Sequence, residues 1–391
     1  MSLREWRRLF RRTRSTLPGD YIEDPAELVD GNRLRLLCDG RETYPAMLEA
    51  IASARATVHL ETYMLKDDRT GWRFAEALGE RARAGVQVRV IFDSAGSIGM
   101  GERFLQHLRN NGVQLLEFHP MAPWRRRWAW TCRDHRKLLV VDGRIAFCGG
   151  INISDDFADP AEGGGGWHDL DASIEGPAAR ELDRLFRTVW YRETRRWFTV
   201  AADPGLRPGA SRVQVAANQQ LLLRRRIRRA LLHALRAAET GITIATAYFI
   251  PDRGIRRALY DAARRDVRVS ILVPEVSDVE AVNLASRRLF ESHLRHGLRL
   301  FAWPKRVLHA KAAAVDRRWA SIGSYNFTHR SLAHNLEVNM HVLDPEFAGR
   351  LDDVILRDAA ASREIVLDRW LARPALEKVL ERFCYLFRYW F

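Results

Sequence analysis

The chain is poor in cysteine and has no long apolar run. Its 391 residues include only four cysteines, and none of them forms a Cys-x-x-Cys pair. These absences argue against a disulfide-dense scaffold and against paired-thiol zinc sites, so we expect a reducing compartment. No window approaches the ~20 apolar residues that a membrane-spanning helix needs, and residues 1–14 lack the apolar core of a secretory signal. Contact with a membrane is therefore expected only at its surface.

Positive charge and length are the two bulk features that are present. Lysine and arginine number 63 against 49 aspartates and glutamates, which gives a formal charge of +14. Such an excess favours an anionic partner, nucleic acid or acidic lipid, without choosing between them. A chain of this length with an apolar fraction of 47% exceeds the usual size of one core, so two compact lobes are expected.

An internal repeat organises the chain, because the second half matches the first at an offset near 180 residues. The matching pairs are Ala56–Leu65 with Gly241–Ile250, Gly85–Phe92 with Asp266–Val273, and Asn111–Phe118 with His296–Trp303. These segments have strand-like apolar patterns, and helical periodicity separates the first pair from the second. Strands that alternate with helices predict an α/β fold of two similar α/β/α lobes.

Composition sets the predicted boundaries of these lobes. We predict a basic aromatic N-terminal segment over residues 1–30, lobe 1 over 31–200 and lobe 2 over 213–372. A linker is predicted over 201–212, which is rich in proline and glycine and lacks apolar periodicity. Residues 373–391 form a predicted amphipathic C-terminal segment.

A fourth matching segment carries the chemistry, as the pattern His-x-Lys-x4-Asp-x6-Gly-(Gly or Ser)-x-Asn. Its residues are His135, Lys137, Asp142, Gly149, Gly150 and Asn152 in copy one, and His309, Lys311, Asp316, Gly323, Ser324 and Asn326 in copy two. Histidine and lysine two residues apart in a strand share a face, where both can bind one phosphate. A single His-x-Lys would be an ordinary half-exposed strand, but two copies with one spacing are hard to attribute to chance. Asp142 and Asp316 also suit the hydrogen bonds of a strand-to-turn junction.

These residues resemble the phospholipase D superfamily, whose defining motif is this pattern, over roughly residues 50–345. The resemblance implies two lobes packed face to face around one central site, with neither a metal nor a cofactor. It also implies a covalent phosphohistidine, with His135 as nucleophile and His309 as general acid. Gly150 stands where copy two has Ser324, so the two halves are not expected to bind phosphate equally.

The resemblance also implies supporting roles. The residues expected to donate to the phosphate oxygens are Lys137, Lys311, Asn152, Asn326 and Ser324. A carboxylate is expected to orient each histidine, with Asp169 and Glu337 as candidates and Asp171 competing with Asp169. His168 and His334 are expected to be structural or surface histidines.

Within the superfamily, the fuller pattern resembles bacterial cardiolipin synthases of the short type without N-terminal membrane spans. The segments that carry this resemblance are LETYML, VIFDSAGS, GGINISDDF, WHDLDASIEGP, AYFIPD and SYNFTHRSLAHNLEVN. It implies that a phosphatidyl group passes from phosphatidylglycerol to His135, releasing glycerol, and then to a second phosphatidylglycerol. The implied partner is an anionic phospholipid. Nucleic acid is not expected, and no oligomer is required, because one chain carries both motifs.

Three basic and aromatic segments fit a lipid surface. They are the N-terminal segment, the loop Trp124–Trp130 before the first motif, and the C-terminal segment with its helical apolar spacing. The alternatives are a buried aromatic cluster in the loop and a C-terminal helix packed on its own protein. We expect a peripheral protein on the cytoplasmic face of the cell membrane.

Three other functions stay open at this point. A nuclease of the same superfamily would also use basic, aromatic surfaces, and a phospholipase D-type hydrolase would use water as the acceptor. Acceptor choice depends on pocket shape and water exclusion, which the sequence does not describe. A catalytically silent scaffold is disfavoured, because His, Lys, Asp and Asn are present in both motifs.

Overall fold

The computed structural model describes residues 17–198, 205–218, 225–304 and 306–391. The predicted N-terminal segment up to residue 16 and the first part of the predicted linker, 201–204, lie outside this described part. The strands are β1 Val29–Cys38, β2 Thr57–Thr62, β3 Gln87–Asp93, β4 Gln114–Phe118, β5 Leu138–Val141, β6 Ile145–Gly149, β7 Leu170–Glu175, β8 Ser211–Asn218, β9 Gly241–Thr246, β10 Arg268–Pro274, β11 Arg299–Trp303, β12 Lys311–Val315, β13 Trp319–Gly323, β14 Glu337–Leu343 and β15 Arg363–Ile365. The helices are α1 Asp39–Ala52, α2 Arg69–Arg83, α3 Glu102–Asn110, α4 Pro177–Thr194, α5 Arg226–Ala237, α6 Arg253–Ala263, α7 Glu280–Arg287, α8 Phe290–Arg295, α9 His329–Ala333, α10 Pro345–Ala360, α11 Leu367–Leu371 and α12 Ala375–Leu386.

One continuous sheet runs through both repeats. Its order is β15-β11-β10-β9-β12-β13-β14-β8-β1-β7-β6-β5-β2-β3-β4, and the β1–β8 pair joins the two halves where Val29 lies opposite Val213. In each repeat, three parallel strands are followed by an antiparallel hairpin that carries the motif. The predicted α/β class with two similar lobes is confirmed.

The parallel strands decide which end of each lobe carries the site. In lobe 1, α2 connects β2 to β3 and buries Phe74 and Leu78, four residues apart on one helical face. In lobe 2, α6 connects β9 to β10 and buries Ile255 and Leu259 with the same spacing. Because the carboxyl ends of parallel strands lie at one edge, the loops that follow them meet at that edge.

The two lobes pack against each other through a shared apolar layer. Leu138 and Val140 of β5 belong to the same buried cluster as Ala312 and Ala314 of β12, together with side chains of α4 and α10. β12 reads KAAAV, and its small side chains allow close approach of the packed elements. Each lobe also has a core of its own.

The predicted N-terminal segment and linker both contain residues that are part of the folded lobes. Tyr21 and Ile22 are buried in the core of lobe 2, so the described end of the N-terminal segment packs on that lobe. β8 begins at Ser211, so the predicted linker already contains the start of a strand. Within the described ranges, no helix has the length and apolar character to cross a bilayer.

Candidate active site

The structure brings the two motif histidines to the boundary between the lobes. His135 donates its backbone N–H to the carbonyl of Leu336, 3.0 Å away, and His309 donates to the carbonyl of His168 at 2.7 Å. Each acceptor directly precedes a predicted orienting carboxylate, Glu337 or Asp169. Each motif strand is therefore bridged to the opposite repeat, and the carboxylate of that repeat lies beside the histidine.

Glu337 holds His135 from across the lobe boundary. The distance from His135 Nδ1 to Glu337 Oε2 is 3.0 Å, and the carboxylate also accepts from the hydroxyls of Ser324 at 2.5 Å and Ser331 at 2.7 Å. Asn335 adds a side-chain N–H at 3.3 Å. Burial opposes the charged form, but His135, Lys137 and these donors outweigh it and lower the pKa of Glu337.

Asp169 holds His309 in the reciprocal way. Its Oδ2 lies 2.7 Å from His309 Nδ1, and its Oδ1 accepts the backbone N–H of Leu170 at 2.7 Å. Burial raises the pKa of Asp169 to about 6, although the charges of Lys311 and Lys137 act against that rise. Asp171 is not a partner of His309 in the structure. Burial raises the pKa of Asp171 well above its usual value, and its Oδ1 accepts the backbone N–H of Ala172.

Burial also controls the protonation of the histidines and lysines. Desolvation lowers the pKa of His135, and desolvation together with Lys311 lowers that of His309 well below its usual value. Desolvation and the neighbouring Lys311 lower the pKa of Lys137 to about 7. Lys137 Nζ donates to the carbonyl of His135 at 2.6 Å, and Lys311 Nζ lies 2.8 Å from His309 Nδ1.

Gly150 and Ser324 occupy equivalent motif positions with different surroundings. A Cβ atom at Gly150 would overlap the carboxylate of Asp169, so the missing side chain makes room for that carboxylate. Ser324 is fully buried and donates its hydroxyl to Glu337. This motif position therefore supports an orienting carboxylate in both halves. In copy one, the absence of a side chain at Gly150 leaves space for Asp169, and in copy two the hydroxyl of Ser324 donates to Glu337.

The motif asparagines are buried close behind the glycines. Asn152 Oδ1 accepts the backbone N–H of Met64 at 3.1 Å, which orients the amide. Asn326 Oδ1 is buried without a hydrogen-bond partner among the described residues. Their predicted role in holding phosphate stays a prediction.

The motif aspartates are not brought to the histidines. Asp142 lies seven residues beyond His135, at the far end of an extended segment that includes β5, on the order of 20 Å away. It accepts the backbone N–H groups of Ala56 and Thr57 at 2.8 Å each. Asp316 accepts from Thr240 at 2.7 Å and Gly241 at 2.9 Å in the same way. Both have positive φ angles of 54° and 52°, which suits a turn residue. The geometry gives these aspartates the strand-to-turn role, in which each fixes the start of the strand paired with its motif.

His168 forms ion pairs with Asp39 and Asp358 that the sequence did not indicate, and we call these three residues the ionic clasp. Its Nδ1 lies 2.7 Å from Asp39 Oδ1 and its Nε2 lies 2.9 Å from Asp358 Oδ2, which belongs to lobe 2. Burial disfavours the charged ring, but these two hydrogen bonds outweigh it and raise the pKa of His168 to about 10. Asp39 also accepts the backbone N–H of Asp169 at 3.0 Å. The clasp therefore supports the carboxylate that orients His309.

Two tyrosines at equivalent places of the repeat also reach the site. The ring of Tyr63 lies 5.1 Å from that of His135, and Tyr248 donates its hydroxyl to Asp278 at 2.7 Å. The negative charge of Asp278 in turn acts on His309. The repeat alignment pairs Tyr63 with Tyr248, so the signal for these residues was present in the sequence.

This arrangement prepares two imidazoles for different tasks. The carboxylate beside each Nδ1 favours the tautomer that carries its proton there, so Nε2 is the reactive end of both rings. A neutral imidazole is a nucleophile, and a protonated one is an acid. The two buried lysines beside them suit a substrate that carries a negative charge, because such a charge favours their protonated forms.

Comparison with known proteins identifies the family. The family model for the phospholipase D-like domain of cardiolipin synthase matches residues 47–190 and 231–359, one segment in each repeat. The chain is 32% identical to a cardiolipin synthase of Geobacillus sp. (strain WCH70), over 89% of this chain and 70% of that protein. It is 31% identical to a cardiolipin synthase A of Pseudomonas putida, over 86% of this chain and 70% of that protein. The crystal structure of phosphatidylserine synthase from Haemophilus influenzae Rd KW20 has the same fold, with a TM-score of 0.63, 14% identity, and coverage of 90% of this chain and 92% of that one. The chain therefore belongs to the phospholipase D-like family of cardiolipin synthases.

Proposed function

We propose that the protein is a phosphatidyltransferase that makes cardiolipin from two molecules of phosphatidylglycerol and releases glycerol. The observation that supports this most is the reciprocal pairing of the histidines, His135 with Glu337 at 3.0 Å and His309 with Asp169 at 2.7 Å. This pairing provides two activated imidazoles at one site. Family membership supports the choice of lipid substrate.

In the first half-reaction, we assign the attack to His135. Its lowered pKa leaves the ring neutral near pH 7, so Nε2 carries the lone pair that bonds to phosphorus. The bond from phosphorus to the glycerol oxygen breaks, and that oxygen takes a proton from His309 Nε2. Glycerol leaves, and the phosphatidyl group remains on His135 as a phosphohistidine.

His309 must be protonated before it acts as the acid. Burial and the positive charge of Lys311 lower its pKa, and the negative charge of a bound phosphodiester would offset the effect of the lysine charge. Substrate binding and protonation of His309 are therefore coupled, because the anion favours the imidazolium. Lys137, Lys311, Asn152 and the amide of Asn326 are proposed to donate to the non-bridging oxygens as their charge grows.

In the second half-reaction, a second phosphatidylglycerol replaces glycerol. Its headgroup hydroxyl gives a proton to His309 Nε2 and attacks phosphorus, and the bond from phosphorus to His135 breaks. Cardiolipin leaves, and both histidines return to their starting protonation states. The overall reaction converts two phosphatidylglycerols into one cardiolipin and one glycerol.

We also propose that the protein works on the cytoplasmic surface of the cell membrane. Helix α12 supports the membrane contact, because its carboxylates face the protein: Glu377 and Glu381 pair with Arg287 at 2.6 and 3.1 Å. Five of its large apolar side chains are turned to solvent, with Leu376 69% and Phe383 58% exposed, whereas Cys384 and Tyr385 pack on the protein. That is the reverse of a helix packed on a core and suits insertion among lipid headgroups. The indoles of Trp124, Trp128 and Trp130 in the basic loop are also exposed, rather than buried in an aromatic cluster.

The test incubates purified protein with phosphatidylglycerol vesicles in the presence of a chelator, and follows cardiolipin and glycerol by mass spectrometry. The matched variants are His135→Ala, His309→Ala and, as a control, His296→Ala, an exposed histidine of lobe 2. We expect both products from the wild type and the control, and neither from the two motif variants. Phosphatidic acid in place of cardiolipin would establish a hydrolase. No lipid product, with cleavage of single-stranded nucleic acid, would establish a nuclease.

A further inference from the structure

The outer edge of lobe 1 differs from the outer edge of lobe 2. In lobe 2 the last parallel strand, β11, is covered by β15, with Leu300 opposite Ile365. In lobe 1 the corresponding strand, β4, ends the sheet within the described residues. An open pocket of about 1050 Å³ lies there, between β4, the end of α4 and the loop Trp124–Trp130.

Arginines dominate the lining of this pocket. Seven of them contribute to it, and Glu193 is the sole carboxylate among the lining residues. The seven are Arg89, Arg125, Arg126, Arg127, Arg192, Arg195 and Arg196. No residue of either motif lines the pocket, so it is separate from the candidate active site.

Arg89 is the buried centre of the pocket. It is 6% exposed, and its guanidinium lies 3.8 Å from the ring centre of Phe198 and 5.9 Å from that of Trp190. Nη2 donates to Gln87 at 3.0 Å, whereas Nε and Nη1 have no hydrogen-bond partner among the described residues. A buried charged donor without a partner is costly, and this one lines an open pocket.

Two other arginines of the pocket also have a buried donor without an acceptor among the described residues. Arg127 Nη1 and Arg192 Nη2 are also buried without a partner in the described part of the chain. The equivalent of Arg89 in lobe 2 is Ser270, since the strands QVRVIFD and RVSILVP occupy the same place in the repeat. The concentration of cationic donors is therefore particular to lobe 1 and is not a consequence of the repeated fold.

We propose that this pocket is a second anion site, which binds the phosphate group of a phosphate ester outside the active site. Planar guanidinium groups match phosphate oxygens by paired hydrogen bonds, and the aromatic rings hold the Arg89 fork in place. Among the lining residues, the indole of Trp197 is 56% exposed, so the phosphate is that of a lipid headgroup or of a soluble ester with access from solvent. Both sources present the same chemistry to Arg89.

The test measures binding of two probes to the full chain carrying His135→Ala, which prevents turnover. One probe is sn-glycerol 3-phosphate, followed by calorimetry, and the other is phosphatidylcholine vesicles containing phosphatidic acid, followed by co-sedimentation. Arg89→Gln removes the buried fork, and the pair Arg126→Gln with Arg196→Gln removes two exposed lining charges. The matched control is Arg257→Gln with Arg350→Gln, two exposed arginines of lobe 2 with the same change in net charge.

We expect both pocket variants to weaken binding of at least one probe about tenfold, which corresponds to loss of a charge-assisted hydrogen-bonded pair, while the control changes less than about twofold. An effect on the soluble ester alone identifies a soluble ligand, and an effect on vesicles identifies a lipid headgroup. If Arg89→Gln lowers the melting temperature, the exposed pair decides the result. Pocket variants that match the control with both probes would overturn the proposal.

Discussion

The two halves of the site share one motif and yet support their histidines differently. Glu337, which holds His135, receives hydrogen bonds from three side chains and has a lowered pKa. Asp169, which holds His309, receives a backbone N–H and has its pKa raised to about 6. Motif spacing therefore specifies the histidine and lysine of each half, but the protonation of each half also depends on burial and on residues outside the motif.

The flanks of the two motif histidines differ as well. In lobe 1, Asp134 and Arg136 are buried on either side of His135, and Arg136 lies 3.5 Å from Glu61. Lobe 2 has Leu308 and Ala310 at the equivalent positions, both buried and apolar. A buried ion pair contributes little net stability by itself, but removal of one partner is strongly destabilising. Lobe 1 is therefore the half in which the motif strand depends on intact charge pairing.

The largest effect should separate the two histidines by their roles. His135→Ala and His309→Ala should each slow phosphatidyl transfer by about 10³-fold or more. A phosphatidyl ester of p-nitrophenol has a leaving group that needs no proton, so it should restore a burst of nitrophenol to His309→Ala but not to His135→Ala. Rapid-quench measurements check this, and a burst seen only in His135→Ala would reverse the two roles.

Next in size is removal of charge from the orienting carboxylates. Asp169→Asn and Glu337→Gln should each reduce kcat/KM by about 10²-fold, because an amide no longer stabilises the charged imidazole. The halves should differ in pH dependence. Asp169 is ionised only above about pH 6, so wild-type kcat/KM should fall as the pH drops through that value. In Asp169→Asn this fall in kcat/KM should occur at lower pH. If it still occurs near pH 6, a group other than Asp169 causes it.

A smaller effect should distinguish the two equivalent motif positions. Gly150→Ala should displace the Asp169 carboxylate that occupies the Cβ position, with a loss of activity of about 10²-fold. Ser324→Ala removes one of several donors to Glu337 and should cost about tenfold or less. Steady-state kinetics with melting temperatures as the control for folding make the comparison. Equal losses would mean that both positions act through packing alone.

The smallest effect on turnover is expected from substitution of His168, which should mainly change the free energy of unfolding. Its folded pKa of about 10 exceeds the unfolded value of about 6.5, so its contribution is complete below pH 6.5 and declines as the pH rises towards 10. His168→Gln should therefore lower the free energy of unfolding by a few kcal/mol at pH 6 and by much less at pH 10. Urea unfolding at the two pH values tests this, with His296→Gln as control. A difference that does not change with pH would contradict a charged clasp.

Much of the fold was accessible from the sequence because its signals are local. Strand alternation, helical periodicity and the repeat predicted two α/β lobes, and Tyr63 with Tyr248 could have been found from the same alignment. The linker was less accessible, since β8 begins at Ser211 in a segment with loop-like composition. His168 looked like a structural or surface histidine, because neither Asp39 nor Asp358 is near it in the sequence.

The sequence by itself determined the residue types of the two motifs, their identical spacing and the resemblance to the family, because these are local patterns that can be read without the fold. Only the tertiary structure decided that each histidine is held by the other repeat, across 202 residues for His135 and Glu337 and 140 for His309 and Asp169. It also decided which carboxylate has the raised pKa. Both depend on burial and on charges brought together from distant parts of the chain, and no local pattern encodes those.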